Sequence, residues 1–524
     1  MNFAASTQRN MGSSVNQLER IGQSVIAQVL LLTILVALPL CLYLAPDLVA
    51  VLLTATAVGT LGLMLFWQHP ELGLIVLVFL TSSIIEPDMI DLRLPIGGGL
   101  DLRDLLLIGI LGLSAFQRIV RGRIELSWIP VGGPLFFFIC LAAISAATAL
   151  YSEGVAANWA LNDLRILLYY SVFFITAWNI REHKQLRTLL VGLFLIANIT
   201  AAIVIIQQFL GPDNLLLESM AGGRWQVWAQ EDGTIRVVPP GHALMHFMMV
   251  LSFCLAFFNR HRPGLFLMYG LQFLFLNIGL ILTFTRAGWL ASGIALIIVV
   301  FALLFRYRKR ASRTVAVAIS SLILFSSVIG LLGQQQMIGL PNTEAVVERF
   351  GSLFTPRETL QTNSLQWRLF EYEKAVEAIS AKPWTGVSLG NSYRDVTVFQ
   401  GESRGLWTNG DLSSDVISRY TRYIHSSYLS IATKMGLPGL TIFLWFCLAF
   451  LISSWKLYRS ATNPQASGIA LAIFAAFLGL MQWSIFHAWF VETESTCVVG
   501  LMTGIVAAVA FLDNKSSWGT EVDV

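Results

Sequence analysis

Three groups of residues in this chain have the types and spacing to work on an anionic substrate at a membrane. The first is Arg286, set between two apolar runs, Gly270–Thr285 and Ala287–Phe305. A charged side chain deep in a bilayer costs roughly 2.5–3.5 kcal/mol on insertion scales. Arg286 therefore marks a turn at the membrane surface or lines a polar cavity, and either way offers a fixed cation to an anionic headgroup. Ala287 and Gly288 after it allow close helix approach, and Trp289 suits the interface. A snorkelling arginine that only fixes topology is the plainer alternative. The second group is Trp367-Arg368 with Glu371 and Lys374, then Lys382-Pro383-Trp384 and the glycines Gly386 and Gly390 before Asn391. A helix, a proline stop and a glycine-rich turn let backbone approach a ligand or phosphate. The third is His425 with Tyr428, running into Lys434, Gly436 and Pro438-Gly439. A histidine titrates near neutral pH and can act as a general base, with a structural role the alternative. The glycines and proline after it predict a kinked or broken segment that opens a cavity just inside the membrane.

The elements that position these groups are membrane helices. Of 524 residues, 56% are apolar and 12% charged, where a soluble domain has about 25% charged residues. Apolar stretches of about 18–25 residues recur along the chain. About 14 spans are expected, beginning near Ser24, Leu48, Glu71, Leu102, Pro130, Asp163, Leu186, Pro240, Pro263, Ala287, Thr314, Tyr428, Ala466 and Thr496. The expected fold is an all-α polytopic membrane protein with a large, partly helical periplasmic loop. The net charge of +3 gives no reason to expect nucleic acid. Cys41, Cys140, Cys254, Cys447 and Cys497 all lie in apolar runs without metal-ligand spacing, and read as free thiols. The polar start of the chain lacks the pattern of a cleaved signal, so the first helix is expected to be an uncleaved anchor.

Basic residues recur in the loops at Arg118/Arg121/Arg123, Arg181/Lys184/Arg187, Arg260/Arg262, Arg306/Arg308/Lys309/Arg310/Arg313 and Lys456/Arg459. If every run crosses once, these loops share one side. The positive-inside rule makes that side the cytoplasm, with both termini there. Outside lie 86–101, 151–162, 211–238 and the long segment 333–425, with Arg286 at the same surface. A loop of roughly 90 residues is uncommon and usually functional. Within it, 362–380 predicts a helix capped by Thr362 or Asn363. Leu365, Leu369, Tyr372, Val376 and Ile379 make one apolar stripe, with Arg368, Glu371 and Lys374 off it, so the helix is expected to lie on the membrane face with polar groups above it, packing on its neighbours being the plainer alternative. The chain divides into a tail 1–23, N-terminal helices 24–235, a core 236–450 containing loop 333–427, C-terminal helices 451–512 and a disordered tail 513–524.

In order and topology, the three groups resemble the bacterial O-antigen ligase and polysaccharide polymerase family over about residues 236–450. That family has an arginine-glycine motif on a central span and a long periplasmic loop. A histidine-asparagine element then leads into Gly-Leu-x-Gly. Here Ser426 stands where asparagine usually follows the histidine, and Ser388 lies in a wider glycine pair.

The resemblance implies an inner-membrane glycosyltransferase that takes glycan from an undecaprenyl-diphosphate carrier at the periplasmic face. It implies no metal and no cofactor. The acceptor is lipid A-core in ligases and another lipid-linked repeat unit in polymerases. Membrane lipids and other polysaccharide assembly proteins are the further expected partners.

His425 is then the base that takes the acceptor proton, and Arg286 and Arg368 hold the diphosphate. Arg236 matches a basic position before the next span, and Arg165 joins on topology alone. Arg422, Tyr428, Trp384, His487 and Glu492 are candidates for substrate binding, although a helix-end cap serves His487 and Glu492 equally. The extra spans and mixed-charge loop favour a polymerase over a ligase, with a protein O-oligosaccharyltransferase a third member of the class. A transporter or flippase for polysaccharide intermediates is the rival from another class. It would show charged residues at mid-membrane on several helices, and Lys434 is the main one here.

Overall fold

The computed structural model describes residues 59, 60, 62, 64, 66–81, 102–120, 130–210, 226–229, 235–307, 361–394 and 421–514. The span starts near Ser24, Leu48 and Thr314 lie outside these residues. So do Cys41, the tail 1–23, segment 86–101, and stretches 333–360 and 395–420 of the long loop. In chain order the helices are α1 Pro70–Thr81, α2 Leu102–Val120, α3 Gly132–Tyr151, α4 Ala157–Leu168, α5 Val172–Asn179 and α6 His183–Leu210. Strands β1 Gln226–Ala229 and β2 Ile235–Val238 follow, then α7 His242–Phe258, α8 Pro263–Leu282 and α9 Arg286–Tyr307. The chain continues with α10 Gln361–Ala381, α11 Ser427–Ser460, α12 Pro464–Trp483 and α13 Thr493–Asn514.

Among the described residues, 8 helices are long and apolar enough to cross a membrane, fewer than the 14 expected. They are α3, α4 continued through a 3-10 turn into α5, α6, α8, α9, α11, α12 and α13. Helices α1 and α7 are apolar but short, with 12 and 17 residues. Helix α2 carries Arg103, Asp104 and Arg118. The C-terminal boundary also moves. Asp513 is still helical, and its carboxylate accepts hydrogen bonds from the Thr462 amide at 3.1 Å and hydroxyl at 3.0 Å.

The centre of the bundle is α7, buried from His242 to Phe257, together with α12 and α13, whose apolar spans are 78% and 83% buried. Helices α8 and α12 pack on α7, α9 and α11 on α12, α5 on α13 and α3 on α11. The residues after Arg286 make the close approach expected of them. A Cβ on Gly288 would lie 2.9 Å from the Trp483 ring, and one on Gly479 only 2.5 Å from the Ala291 carbonyl. Glycine removes that clash and lets α9 and α12 gain dispersion contacts in place of a hydrophobic drive that lipid cannot supply. Pro263 and Pro464 open α8 and α12, where a missing amide costs nothing.

Two features lie beyond the sequence expectation. β1 and β2 form an antiparallel pair with Trp228 opposite Arg236. The sequence between them contains Asp232-Gly233, a hairpin signal of known chemistry. The other is the break in α11, predicted as a cavity and found filled. Gly436 stands at φ 69° and ψ −178°, outside helical geometry. The orphan carbonyls upstream are taken by the loop after α10: Val387 N–H donates to Thr433 O at 2.8 Å and Ser388 N–H to Lys434 O at 3.1 Å. Leu437 N–H returns a bond to Pro383 O at 2.8 Å. Irregular backbone at membrane depth survives only when other protein groups satisfy it in this way. A Cβ on Gly436 would meet the Trp384 carbonyl carbon at 2.6 Å, and one on Gly386 the Lys434 carbonyl carbon at 2.6 Å. Both glycines have positive φ, so geometry and space demand glycine together.

Candidate active site

Arg286 is the first residue of α9, so the two apolar runs are separate helices and the arginine sits at their turn. Phe284 adopts a left-handed φ of 52° there. Thr283 Oγ1 donates to Leu280 O at 2.7 Å, and the Trp289 indole donates to Ile281 O at 3.1 Å, closing the end of α8. A cation at a helix N-terminus adds to the positive end of the helix dipole. Backbone amides and guanidinium then favour the same thing, an anion.

Helix α10 starts at Gln361, so Thr362 and Asn363 lie inside it rather than capping it. The face it turns inward is not the predicted apolar stripe. Leu369 and Val376 are 58% and 52% exposed, while Ala375 and Glu371 are fully buried. The reason is Glu371. Its carboxylate Oε2 accepts from His425 Nδ1 at 2.7 Å, and its Oε1 lies 3.9 Å from an Arg394 guanidinium nitrogen. A buried carboxylate needs such partners, and they outweigh two exposed aliphatic side chains. Tyr372 fastens the helix by donating to Ile485 O at 2.8 Å.

His425 itself keeps 25% side-chain exposure. Its ring lies against the edge of Tyr423 at 4.9 Å between centroids. With Nδ1–H held by the carboxylate, the lone pair is on Nε2, the arrangement that orients a histidine as a general base. Tyr423 donates to Glu492 Oε1 at 3.0 Å. Burial, then Glu492, holds its phenol well above the usual range. It is a fixed hydrogen-bond donor, not a proton source.

The segment between α12 and α13 brings His487 beside this pair. Its ring stacks on Trp489 at 4.5 Å between centroids, with Nδ1 3.5 Å from Glu492 Oε1. Burial lowers its pKa well below 6.5, and His425, Arg368, Arg236 and His242 all push the same way. His487 thus lies within electrostatic reach of His425, of Arg368 from α10 and of Arg236 from β2, and Arg368 in turn lies within reach of Arg286 at the start of α9. Arginines drawn from three elements repel one another unless an anion joins them.

The remaining expected residues lie elsewhere. Arg165 donates to Asp104 Oδ2 at 3.2 Å and Asn162 Oδ1 at 2.7 Å, tying α4 to α2. Arg422 donates to Gly390 O at 2.9 Å and lies over the Trp159 ring at 4.4 Å. Tyr428 donates to Met481 O at 2.8 Å within a cluster with Phe443 and Phe490. Trp384 is 74% exposed in the turn after α10. Sequence reasoning passed over Glu371 because it read as one of several charges on a solvated helix face. The available signal was its spacing from Arg368, which puts both on one side of a helix.

Residues 271–444 match the family model for O-antigen ligase. The chain carries an O-antigen ligase-like domain. The matched stretch runs from α8 into α11 and holds Arg286, Arg368, Glu371 and His425 together. Arg236, His487 and Glu492 of the same cluster lie outside it. No curated protein matches the chain. The match supports a membrane enzyme of the O-antigen ligase or polymerase type, a family of glycosyltransferase-like enzymes that implies lipid-linked glycan substrates.

Proposed function

We propose that this protein joins glycan repeat units carried on undecaprenyl diphosphate, at the periplasmic face of the bacterial inner membrane, with both termini in the cytoplasm. The observation that carries the chemistry is the 2.7 Å bond between His425 Nδ1 and Glu371 beside the converging arginines. An acceptor hydroxyl gives its proton to His425 Nε2 while its oxygen attacks the anomeric carbon of the donor sugar. The bond from that carbon to the diphosphate breaks, and its electron pair leaves with the diphosphate. Arg286, Arg368 and Arg236 neutralise the charge that grows on the leaving group, where donors fixed in advance are worth most. Guanidinium forks match phosphate oxygens in pairs, which an ammonium does not. Glu371 keeps the imidazole in the tautomer that can accept, and stabilises the imidazolium that forms. Charge neutralisation is assigned here to arginine rather than to a metal.

A polymerase is the favoured form, on the extra N-terminal helices and the mixed-charge outer loop. The description of the matched family favours the second form, a ligase that moves the glycan to lipid A-core. The test is the glycan profile of cells carrying His425→Ala or Arg286→Ala, with membrane protein levels matched. Loss of long chains with single repeat units still attached supports the polymerase. Long chains that remain on the carrier and never reach lipid A-core support the ligase. Unchanged glycans in both variants overturn the transferase and return the transport reading.

A further inference from the structure

The end of the bundle opposite His425 holds a cavity that the chemistry above does not use. It has a volume of about 340 Å³, within the usual range of ligand pockets, and lies between α3, α5, α11 and α13. Its position follows from the helices. α11 begins beside His425, and Phe450 and Ser453 on the cavity wall lie roughly 35 Å further along at 1.5 Å per residue. That is about the thickness of the hydrocarbon layer. Phe450, Val506, Ala507, Ala510 and Phe511 make the wall apolar.

The mouth is different in kind. Arg181 lines it, with its guanidinium 4.0 Å from the centre of the Phe511 ring and its Nε donating to Trp178 O at 3.1 Å. Arg118 Nη2, from α2, donates to the same carbonyl at 2.9 Å. A guanidinium from the turn between α5 and α6, which lines the cavity, and one from α2, just behind the lining, therefore converge on the carbonyl of Trp178, itself a lining residue. An apolar chamber suits an acyl chain. A pair of converging guanidinium groups suits a phosphodiester, with the geometry that makes arginine the preferred phosphate partner. Basic pockets between membrane helices at the headgroup level are a recognised form of lipid site.

We propose that this cavity binds an anionic phospholipid from the leaflet opposite the active site, with its phosphate on Arg181, the charge of Arg118 behind it, and an acyl chain along Phe450, Val506 and Ala510. The site is independent of the transferase reading, since no residue is shared with it.

The test is native mass spectrometry of the full chain in detergent, titrated with phosphatidylglycerol and, separately, phosphatidylcholine. The wild type should retain one phosphatidylglycerol about tenfold more tightly than phosphatidylcholine, the effect of one charge-assisted contact. Arg181→Gln should abolish the preference and Arg181→Lys restore part of it. Ala510→Phe, which fills the chamber and leaves both arginines, should weaken both lipids. Lys456→Ala, which removes an exposed cation from the same end of the bundle, should change nothing. Thermal transitions measured on every variant separate lost binding from lost folding. Equal retention of both lipids by the wild type, or a preference that survives Arg181→Gln, overturns the proposal. So does displacement of the lipid by inorganic phosphate at comparable concentration, which would mean that the arginines hold a free anion.

Discussion

Two charged regions flank the start of α11, and they are built in opposite ways. Around the break in α11, charges of both signs are matched. Lys434 donates to Asn391 O and lies 3.8 Å from Asp163 Oδ2, which also accepts from Gly390 N–H at 2.8 Å. Glu153 accepts from Lys382 at 2.7 Å and from Asn391 Nδ2 at 2.7 Å. The Lys434–Asp163 pair joins α11 to α4, and the other bonds tie the loop after α10 to α4, to α11 or to the turn between α3 and α4. Around His425 the pattern differs: arginines come from three elements, while Glu371 and Glu492 are already committed to His425 and Tyr423. Matched charge holds a fold together, whereas an excess of one sign is kept for something that arrives from outside.

Substitutions separate the two designs. The largest effect is expected at the excess. His425→Ala should lower transfer by about 10²–10⁴-fold, the usual contribution of a general base, with protein level unchanged, read from glycan formation in membranes. Glu371→Gln should follow closely, because an amide that donates to Nδ1 selects the wrong tautomer. Its effect should fall on turnover more than on donor affinity, and a loss confined to affinity would remove Glu371 from the positioning role. Arg286→Lys keeps the charge but loses the fork, and about a tenfold loss in transfer is expected.

The matched region should respond in stability instead. Asp163→Asn leaves the buried Lys434 ammonium without its carboxylate, a loss on the order of 3 kcal/mol in the thermal or denaturant transition. Asp163→Asn with Lys434→Met should recover much of it. If the double variant were no more stable than the single one, the pairing would not be what holds the loop.

The smallest effect is a pH dependence. His487 binds its proton less readily folded than unfolded, so its contribution to stability is complete above pH 6.5 and is lost as the pH falls below that value. His487→Gln should flatten this slope between neutral and mildly acidic pH in a thermal-shift series.

The two regions were also unequally legible in the sequence. Arg286 and His425 could be read because a charge or an imidazole beside a long apolar run is costly and therefore informative. The break at Gly436 could be read because glycine and proline act locally. Glu371 could not, since its burial depends on an imidazole 54 residues away in the chain. The same contact sets which face of α10 meets the protein, and leaves Leu369 and Val376 outside it. Arg165 looked available because its partner Asp104 belongs to another helix, and no local pattern joins the two. The cavity predicted at the kink was filled by backbone from a loop that carries no hydropathy signal.

The bond from Tyr372 to the carbonyl of Ile485 has a consequence for how the protein is made. α10 leaves the ribosome well before the turn that anchors it, and two long helices, α11 and α12, must enter the bilayer in between. A chain halted before that turn contains both Glu371 and His425, yet lacks the carbonyl that fastens α10 above them. Fastening of the pair is thereby tied to completion of the C-terminal half.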